Sequence, residues 1–214
     1  ELIDGKMHFE IKNVKFVLNR FALFDVYNAV ASVAAVNLLG YELEDISKAL
    51  KSFRGVDSRL EFIQNDLGIN LVIDFAHTAK AFDDLYKSIP EGTRIISVYG
   101  VNGDRTNEIR HEVGRIAALN NVFSVVTTED PKFDTYENIA DGIVSGIEEE
   151  NGEYVRIKDR KAAIKYAIEI ANKGDFVFLL GKGEENFMKY NGNEKVPYLE
   201  RETLEEVLNE LKNK

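Results

Sequence analysis

The sequence contains no cysteine. Disulfide bonds, zinc sites built on thiolates and cysteine nucleophiles are therefore excluded, and the composition is compatible with an intracellular location. The three histidines, His8, His77 and His111, include no pair with the His-x-x-x-His spacing of a helical metal site. No run of about 18 apolar residues is present, so we expect no transmembrane helix.

Signals for binding phosphate or nucleic acid are also scarce. The motif G-x-x-x-x-G-K-[ST] does not occur, so the chain has no P-loop for a triphosphate. Lysine and arginine total 27 and aspartate and glutamate total 37, which gives a net charge of −10. A charge of this sign argues against general nucleic-acid binding and against an anionic membrane surface, but it leaves room for a local basic pocket.

The pattern of apolar residues divides the chain near residue 57. Residues 7–18 alternate between apolar and polar, which predicts a strand or a hairpin. The next two segments have the spacing of helices: 25–39 and 43–52. A turn-like composition follows, and we expect a partial, largely helical domain over 1–57 and a second domain over 58–214. Because the chain begins without methionine or a signal peptide, we expect a piece of a longer protein.

Strand-like and helical segments alternate after residue 57. Runs such as Leu71–Phe75 are apolar without alternation, which is typical of strands covered on both faces. We expect an α/β, Rossmann-like fold with a mostly parallel, doubly wound sheet and flanking helices. The predicted strands are 60–64, 69–75, 94–99, 122–127, 154–157 and 175–180. The predicted helices are 78–89, 107–119, 135–149, 159–172 and 201–212.

Polar residues and glycines are concentrated after four of these strands. In a parallel sheet the carboxyl ends of the strands form the crevice in which ligands bind. Taken singly, each loop has a simpler interpretation as a helix cap, a turn or a solvated charge. Taken together, they favour a ligand site. The four loops are residues 74–78, 100–105, 127–132 and 181–185.

The charges in and near these loops suit a ligand that carries both signs, such as an amino acid. Carboxylates hold a cation or an ammonium group, and arginine and lysine hold a carboxylate or a phosphate. The acidic candidates are Glu129, Asp130 and Glu185. The basic candidates are Arg105, Arg110 and Lys132. We expect one concave pocket bordered by Arg110, Asp130, Lys132 and Glu185.

Five segments resemble, in order, motifs of the Mur ligase family. The type they resemble most is MurE, which adds the third amino acid to UDP-N-acetylmuramoyl-L-alanyl-D-glutamate in peptidoglycan precursor synthesis. The resemblance extends from Phe24 to the last helix. The five segments are Phe24–Ala29, Gly55–Glu61, Asp74–Thr78, Gly100–Arg110 and Gly181–Glu185.

The resemblance implies a three-domain, ATP-dependent ligase of the cytoplasm. This chain would hold the tail of the central ATPase domain and all of the C-terminal amino-acid domain. ATP and magnesium would then be bound mainly by the part that precedes it, so the chain alone is expected to be inactive, with no catalytic residue and no metal ligand. The implied partners are small molecules, the UDP-linked dipeptide and the amino acid, with no nucleic acid, no membrane and a monomeric protein.

Family roles carry over to the positions that match its motifs. The implied nucleotide contacts are Asn28, Arg59, Asp74 and His77. The implied amino-acid contacts are Arg105, Arg110, Glu129, Asp130, Lys132, Gly181 and Glu185. The Asp-Asn-Pro-Arg signature of diaminopimelate-adding enzymes reads Glu129–Lys132 here, so we expect a diamino acid without deciding which one.

Two departures from the family keep other classes open. Asp25 and Glu184 stand where the family has asparagine and histidine. One alternative is a related amide ligase of the folylpolyglutamate or cyanophycin type. The other is a non-catalytic Rossmann-like domain that binds a ligand.

Overall fold

The structure, a computed structural model, describes residues 1–3 and 5–212. The chain divides into two compact units, one from Glu1 to Val56 and one from Asp57 onward. The division falls within the segment 54–58, whose turn-like composition suggested a boundary in the sequence.

The first unit combines a small antiparallel sheet with two helices. Its strands are β1 (Leu2–Ile3), β2 (Lys6–Ile11) and β3 (Val14–Leu18), in that spatial order. The turn between β2 and β3 is Lys12-Asn13, and both residues have the positive φ that a two-residue hairpin turn of type I′ requires. The helices are α1 (Leu23–Leu38) and α2 (Leu43–Lys51). The unit therefore contains a sheet that a largely helical description omits.

The second unit is built on a six-stranded sheet. Its strands are β4 (Glu61–Ile63), β5 (Asn70–Asp74), β6 (Ile95–Tyr99), β7 (Val122–Val126), β8 (Tyr154–Arg156) and β9 (Phe176–Leu180). In space their order is β4-β5-β9-β6-β7-β8. β4 pairs antiparallel with β5 at one edge, and the other pairs are parallel, which confirms the expected sheet.

Helices cover both faces of this sheet. They are α3 (Ala79–Lys87), α4 (Asn107–Leu119), α5 (Tyr136–Glu149), α6 (Arg160–Glu169) and α7 (Glu200–Lys212). On one face, Ile164 of α6 and Leu204 of α7 belong to the same buried cluster as Val98 of β6. On the other face, the ring of Phe82 in α3 meets that of Tyr99 edge-on, with centroids 5.2 Å apart. The doubly wound arrangement is thereby confirmed.

A second hairpin, absent from the sequence prediction, follows β9. It consists of β10 (Phe187–Tyr190) and β11 (Glu194–Pro197). Asn191 and Gly192 in its turn both have positive φ. An Asn-Gly pair between two short segments is a recognised hairpin signal, and it was the clue available in the sequence.

The position of β9 determines where the loops meet. Although β9 is the last strand of the sheet in sequence, it lies between β5 and β6. The carboxyl ends of β5, β9, β6 and β7 are therefore neighbours at one edge. The loops after these four parallel strands share that edge, as expected for a ligand crevice.

Candidate functional site

The loops that follow β6 and β7 are packed backbone against backbone. The N–H of Gly103 donates to the carbonyl oxygen of Asp130 at 2.8 Å. A Cβ atom at Gly100 would lie only 2.5 Å from the carbonyl oxygen of Thr127, and one at Gly103 would overlap that of Pro131. Glycine is needed at both positions because any side chain would push the two loops apart.

The side chain of Glu129 extends across the end of β6 to the loop that follows β9. A Cβ atom at Gly100 would lie 3.0 Å from the Cβ of Glu129, and one at Gly181 would lie 2.7 Å from its Oε2. Gly181 also has a φ of +101°, a conformation that favours glycine. Because Gly100 and Gly181 have no side chains, the Glu129 carboxyl has room to lie among the ends of the central strands.

Lys182 is fully buried and joins two acidic side chains from different loops. Its Nζ donates to Oδ1 of Asp130 at 2.8 Å and to Oε2 of Glu185 at 2.9 Å. The same oxygen of Asp130 accepts from the backbone N–H of Lys189 on β10 at 3.1 Å. A buried ammonium requires such partners, so Lys182 fixes both carboxylates in place. We call Glu129, Asp130, Lys182 and Glu185 the acidic cluster.

Two carboxylate oxygens of the acidic cluster have no hydrogen-bond donor among the described residues. They are Oε2 of Glu129 and Oδ2 of Asp130, whose residues are 4% and 1% exposed. Burial raises the pKa of Glu129 to about 7, although the positive charges of Arg160 and Lys182 oppose this shift. Because buried acceptors are almost always satisfied, these two atoms are candidates for completion by a ligand.

The predicted basic contacts already have partners, with one exception. Arg110 is buried, and its Nη2 donates to Oδ2 of Asp134 at 2.6 Å. Nζ of Lys132 lies 2.5 Å from Oδ2 of Asp104. Arg105 is exposed. Of the three cations, Arg105 is therefore the one that faces solvent, and the assignment of all three to an amino acid remains a prediction.

Asp74, a predicted nucleotide contact, organises its own loop. Its Oδ2 accepts from the backbone N–H of Leu60 at 2.7 Å, and its Oδ1 accepts from that of Ala76 at 2.6 Å. A carboxylate held by two backbone donors shapes the chain around it. Asp74 therefore has a structural role whether or not a nucleotide also reaches it.

The other predicted nucleotide contacts are Arg59, His77 and Asn28. The guanidinium of Arg59 lies 4.6 Å from the centroid of the Phe75 ring, within cation–π distance. His77 is exposed, and its Nδ1 lies 2.9 Å from the carbonyl oxygen of Phe75. Asn28 is an exposed residue of α1 in the first unit. The structure describes these surroundings, and nucleotide binding by the four residues stays a prediction.

A cavity of about 770 Å³ opens beside the loop after β7. Its walls come from the beginnings of α5 and α6 and from the β10–β11 hairpin. Arg110, Asp130, Lys132 and Glu185, which were expected to border one pocket, are not among its lining residues. Asp130 and Glu185 do meet, at Lys182, whereas Arg110 and Lys132 pair with other carboxylates.

A second buried network lies at the beginnings of α6 and α7. Nε and Nη2 of Arg160 donate to the carboxylate of Glu200 at 2.9 Å and 2.6 Å. Nη2 also donates to the carbonyl oxygen of Leu180 at 2.8 Å, and Nη1 donates to that of Thr128 at 3.3 Å. The hydroxyl of Tyr198 donates to Glu200. Both charged groups of this network are satisfied.

Lys182 and Arg160 were not among the predicted site residues. Lys182 stands between two glycines, and that isolated lysine was the signal available in the sequence. Arg160 offers a weaker signal, a cation at the first position of a helix, where the helix dipole disfavours positive charge. Neither signal identifies the partner of the cation.

Neither a metal-ligand cluster nor a membrane-spanning helix is found among the described residues. Within residues 1–3 and 5–212, no group of three or more histidine, aspartate or glutamate side chains is suited to a metal ion. In the same part of the chain, no helix has the length and apolar character needed to cross a bilayer.

Comparisons with known proteins assign the chain to a family. A family profile described as Mur ligase, glutamate ligase domain, matches residues 58–183. UDP-N-acetylmuramoyl-L-alanyl-D-glutamate–2,6-diaminopimelate ligase 2 of Clostridium acetobutylicum is 34% identical over 208 residues, covering 96% of this chain and 43% of that protein. The corresponding ligase of Caldanaerobacter subterraneus is 33% identical over 210 residues, covering 97% and 43%. The chain belongs to the Mur ligase family.

A solved structure agrees with this assignment. A UDP-N-acetylmuramoyl-L-alanyl-D-glutamate–2,6-diaminopimelate ligase matches with a TM-score of 0.69 over 97% of this chain and 43% of that chain, at 23% identity. At this identity the likeness shows the fold, which is the expected one. The chain spans less than half the length of the curated relatives it matches. The expected resemblance to MurE-type ligases is confirmed.

Proposed function

We propose that the chain takes part in an ATP-dependent amide ligase that joins an amino acid to UDP-N-acetylmuramoyl-L-alanyl-D-glutamate in peptidoglycan precursor synthesis. The unit that begins at Asp57 holds the incoming amino acid. The observation that carries the proposal is the acidic cluster, with its two buried carboxylate oxygens that lack donors. An ammonium group brings a positive charge and three donors, so it suits such a cluster.

The names of the relatives support this class of reaction. The Clostridium acetobutylicum and Caldanaerobacter subterraneus proteins are both named as ligases of 2,6-diaminopimelate. A folylpolyglutamate-type ligase and a non-catalytic domain are not favoured by these matches. The activity of this chain is inferred by that similarity together with the geometry of the acidic cluster.

The reaction class defines what the site must do. The D-glutamate carboxylate takes the terminal phosphoryl group of ATP, ADP leaves, and the carboxylate becomes an acyl phosphate. The amino group of the incoming amino acid attacks the carbonyl carbon, phosphate leaves, the new C–N bond forms and the nitrogen loses a proton. The attacking nitrogen must be an uncharged amine, so the site has to orient it and keep water out. The acidic cluster contributes orientation and electrostatics rather than a covalent step.

We propose a diamino acid as the substrate, with meso-diaminopimelate only slightly favoured over L-lysine. Such a molecule offers one ammonium to the acidic cluster and a second nitrogen as the nucleophile. Lys132 is a point charge already paired with Asp104, whereas an arginine would grip a distal carboxylate with two parallel hydrogen bonds. The preference for a distal carboxylate should therefore stay below about tenfold, or ~1.4 kcal/mol.

The contribution of this chain to ATP binding is proposed to be small. The resemblance implies that Asn28 and Arg59 contact the adenine and the ribose and that Asp74 and His77 close on the nucleotide. The sequence has no P-loop to hold the phosphates. Among the described residues, no group of three or more acidic or histidine side chains fits a magnesium ion. We expect an ATP dissociation constant weaker than ~1 mM for the chain alone.

The cellular setting follows from the proposed substrates. Both ATP and nucleotide-linked precursors are available in the cytoplasm, and we place the protein there. Its partners are the UDP-linked dipeptide and the amino acid, with no nucleic acid and no membrane. We propose that it works as a monomer.

The proposal can be tested on the chain by NMR. Titration with L-lysine or meso-diaminopimelate should shift the amide signals of residues 129, 130, 132 and 181–185. L-norleucine, which lacks the distal ammonium, should bind about tenfold more weakly. Asp130→Asn should weaken L-lysine binding. The control is Asp141→Asn, which removes a carboxylate that is exposed and paired with Arg156. Shifts confined to other parts of the chain, or none at all, would refute the amino-acid site.

A further inference from the structure

We infer that Arg160 is a positioning residue, which holds the loops after β7 and β9 at the separation that amino-acid binding requires. The inference rests on the proposed function of the acidic cluster. Arg160 would act through the backbone carbonyl groups of Thr128 and Leu180 and would not touch the substrate.

The topology of the sheet explains why such a tie is needed. Thr128 and Leu180 immediately precede Glu129 and Gly181, the residues at which the two loops enter the acidic cluster. β7 and β9 are not neighbours, since β6 lies between them. No ladder of backbone hydrogen bonds therefore joins the ends of these two strands directly. The Lys182–Asp130 ion pair joins the two loops further along. At the strand ends themselves, the guanidinium of Arg160 joins them through hydrogen bonds of 3.3 Å and 2.8 Å to the two carbonyl oxygens.

The chemistry of the tie suits arginine and not lysine. The planar guanidinium of Arg160 presents fixed donors to three acceptors in different directions: Thr128, Leu180 and the carboxylate of Glu200. An ammonium is a point charge on a flexible stem and cannot reach all three with that geometry. Replacement by lysine would therefore keep the charge but lose the connection between the loops.

The position of Arg160 disagrees with local rules, which indicates a tertiary role. It is the first residue of α6, where the helix dipole disfavours a cation, and it is 3% exposed. Burial of the charge is compensated by Glu200, the fully buried first residue of α7. Departures of this kind from local preference are expected where a residue serves a site.

The experiment compares two variants that disturb the same ion pair. Arg160→Lys removes the fork that joins the loops, whereas Glu200→Gln leaves the guanidinium and both carbonyl contacts in place. Amide hydrogen exchange of residues 129, 130, 132 and 181–185 and the dissociation constant for L-lysine are measured on each folded variant. Arg156→Lys, the same change at an exposed ion pair, is the matched control.

Arg160→Lys should speed exchange in both loops by about tenfold and weaken L-lysine binding by a similar factor. Glu200→Gln should lower the melting temperature but change exchange and affinity by less than about threefold. If exchange protection and affinity fall in both variants in proportion to the decrease in melting temperature, Arg160 has a merely structural role and the inference is overturned. Unchanged amide exchange of both loops in Arg160→Lys would overturn the inference as well.

A second variant covers the case in which Arg160→Lys does not fold, and the exchange measurement covers the case in which no ligand binds. Should Arg160→Lys fail to fold, the double variant Arg160→Gln with Glu200→Gln removes both charges together, and its loops must exchange faster than those of Glu200→Gln alone. A wild-type chain that binds neither L-lysine nor meso-diaminopimelate would remove the proposed function. The exchange comparison would still decide the role of Arg160, because it requires no ligand.

Discussion

Two buried charge networks lie at the same edge of the sheet, and they differ in how completely their polar atoms are satisfied. Each nitrogen of the Arg160 guanidinium donates to an acceptor, and both oxygens of Glu200 accept. In the acidic cluster, Oε2 of Glu129 and Oδ2 of Asp130 have no donor within the described residues. Burial is common to both networks, so it is the two unsatisfied carboxylate oxygens that make the acidic cluster the candidate for binding a ligand.

The largest loss of stability should come from breaking the Arg160–Glu200 network. Glu200→Ala would leave the guanidinium of Arg160 buried without its counter-charge, which typically costs about 3–5 kcal/mol of stability. Urea unfolding monitored by circular dichroism would measure the loss. Glu206→Ala is the control. Glu206 lies on the same helix as Glu200, but its ion pair with Lys161 is exposed, so its removal should have little effect on stability. If both variants lose equally little, the Arg160–Glu200 pair does not support the fold as described.

In the acidic cluster, removal of a charged side chain should stabilise the protein instead of destabilising it. The pKa of Glu129 is about 7 in the folded chain against an ordinary value of 4.5, so the folded state binds more protons between these two values. Stability should consequently fall as the pH rises from about 4.5 to 7, by up to about 3 kcal/mol. Glu129→Gln removes this charge, and it should be more stable than the wild type at pH 8 by about 1–3 kcal/mol while binding L-lysine more weakly.

The check for Glu129→Gln is a pair of urea unfolding curves for each protein, at pH 5 and pH 8. The difference between variant and wild type should be larger at pH 8. Equal differences at the two pH values would contradict the raised pKa of Glu129 and the burial that causes it.

A comparison of two glycine substitutions separates backbone strain from contact with the acidic cluster, and the expected changes in stability are smaller. Gly181 and Gly174 both have positive φ, but a Cβ atom at Gly181 would meet Glu129 whereas one at Gly174 would meet nothing within 4 Å. Gly174→Ala should cost about 1 kcal/mol through strain alone. Gly181→Ala should cost somewhat more, and it alone should weaken L-lysine binding. If the two variants behave alike in calorimetric titrations with L-lysine, the carboxyl of Glu129 is not part of the binding site.

The sheet and its helices were largely predictable from the sequence. Strands covered on both faces are apolar along most or all of their length, and β9 is a clear example. The helix predicted over 107–119 is α4, Asn107–Leu119. The hairpin of β10 and β11 was missed because β11 is exposed along its whole length and has no apolar run.

That the strand-end loops share one edge was predictable from the sequence, but the pairing of their charged side chains was not. Parallel topology brings the strand-end loops together, so their residues could be chosen as site candidates from the chain alone. Which cation meets which carboxylate depends on packing between distant segments. Lys182 and Asp130 are 52 residues apart, and Arg160 and Glu200 are 40 apart. Sequence spacing carries no information about contacts at such separations.

The central claim is that the acidic cluster receives the ammonium group of an amino acid, and the carboxyl carbon of Glu129 reports on this most directly. Its chemical shift should be followed by carbon-13 NMR as a function of pH, with and without saturating L-lysine. We expect a pKa of about 7 for the chain alone, and a clear decrease when the ligand's positive charge lies beside the carboxylate. A pKa that stays the same in the presence of bound L-lysine would place the ligand elsewhere and contradict the account.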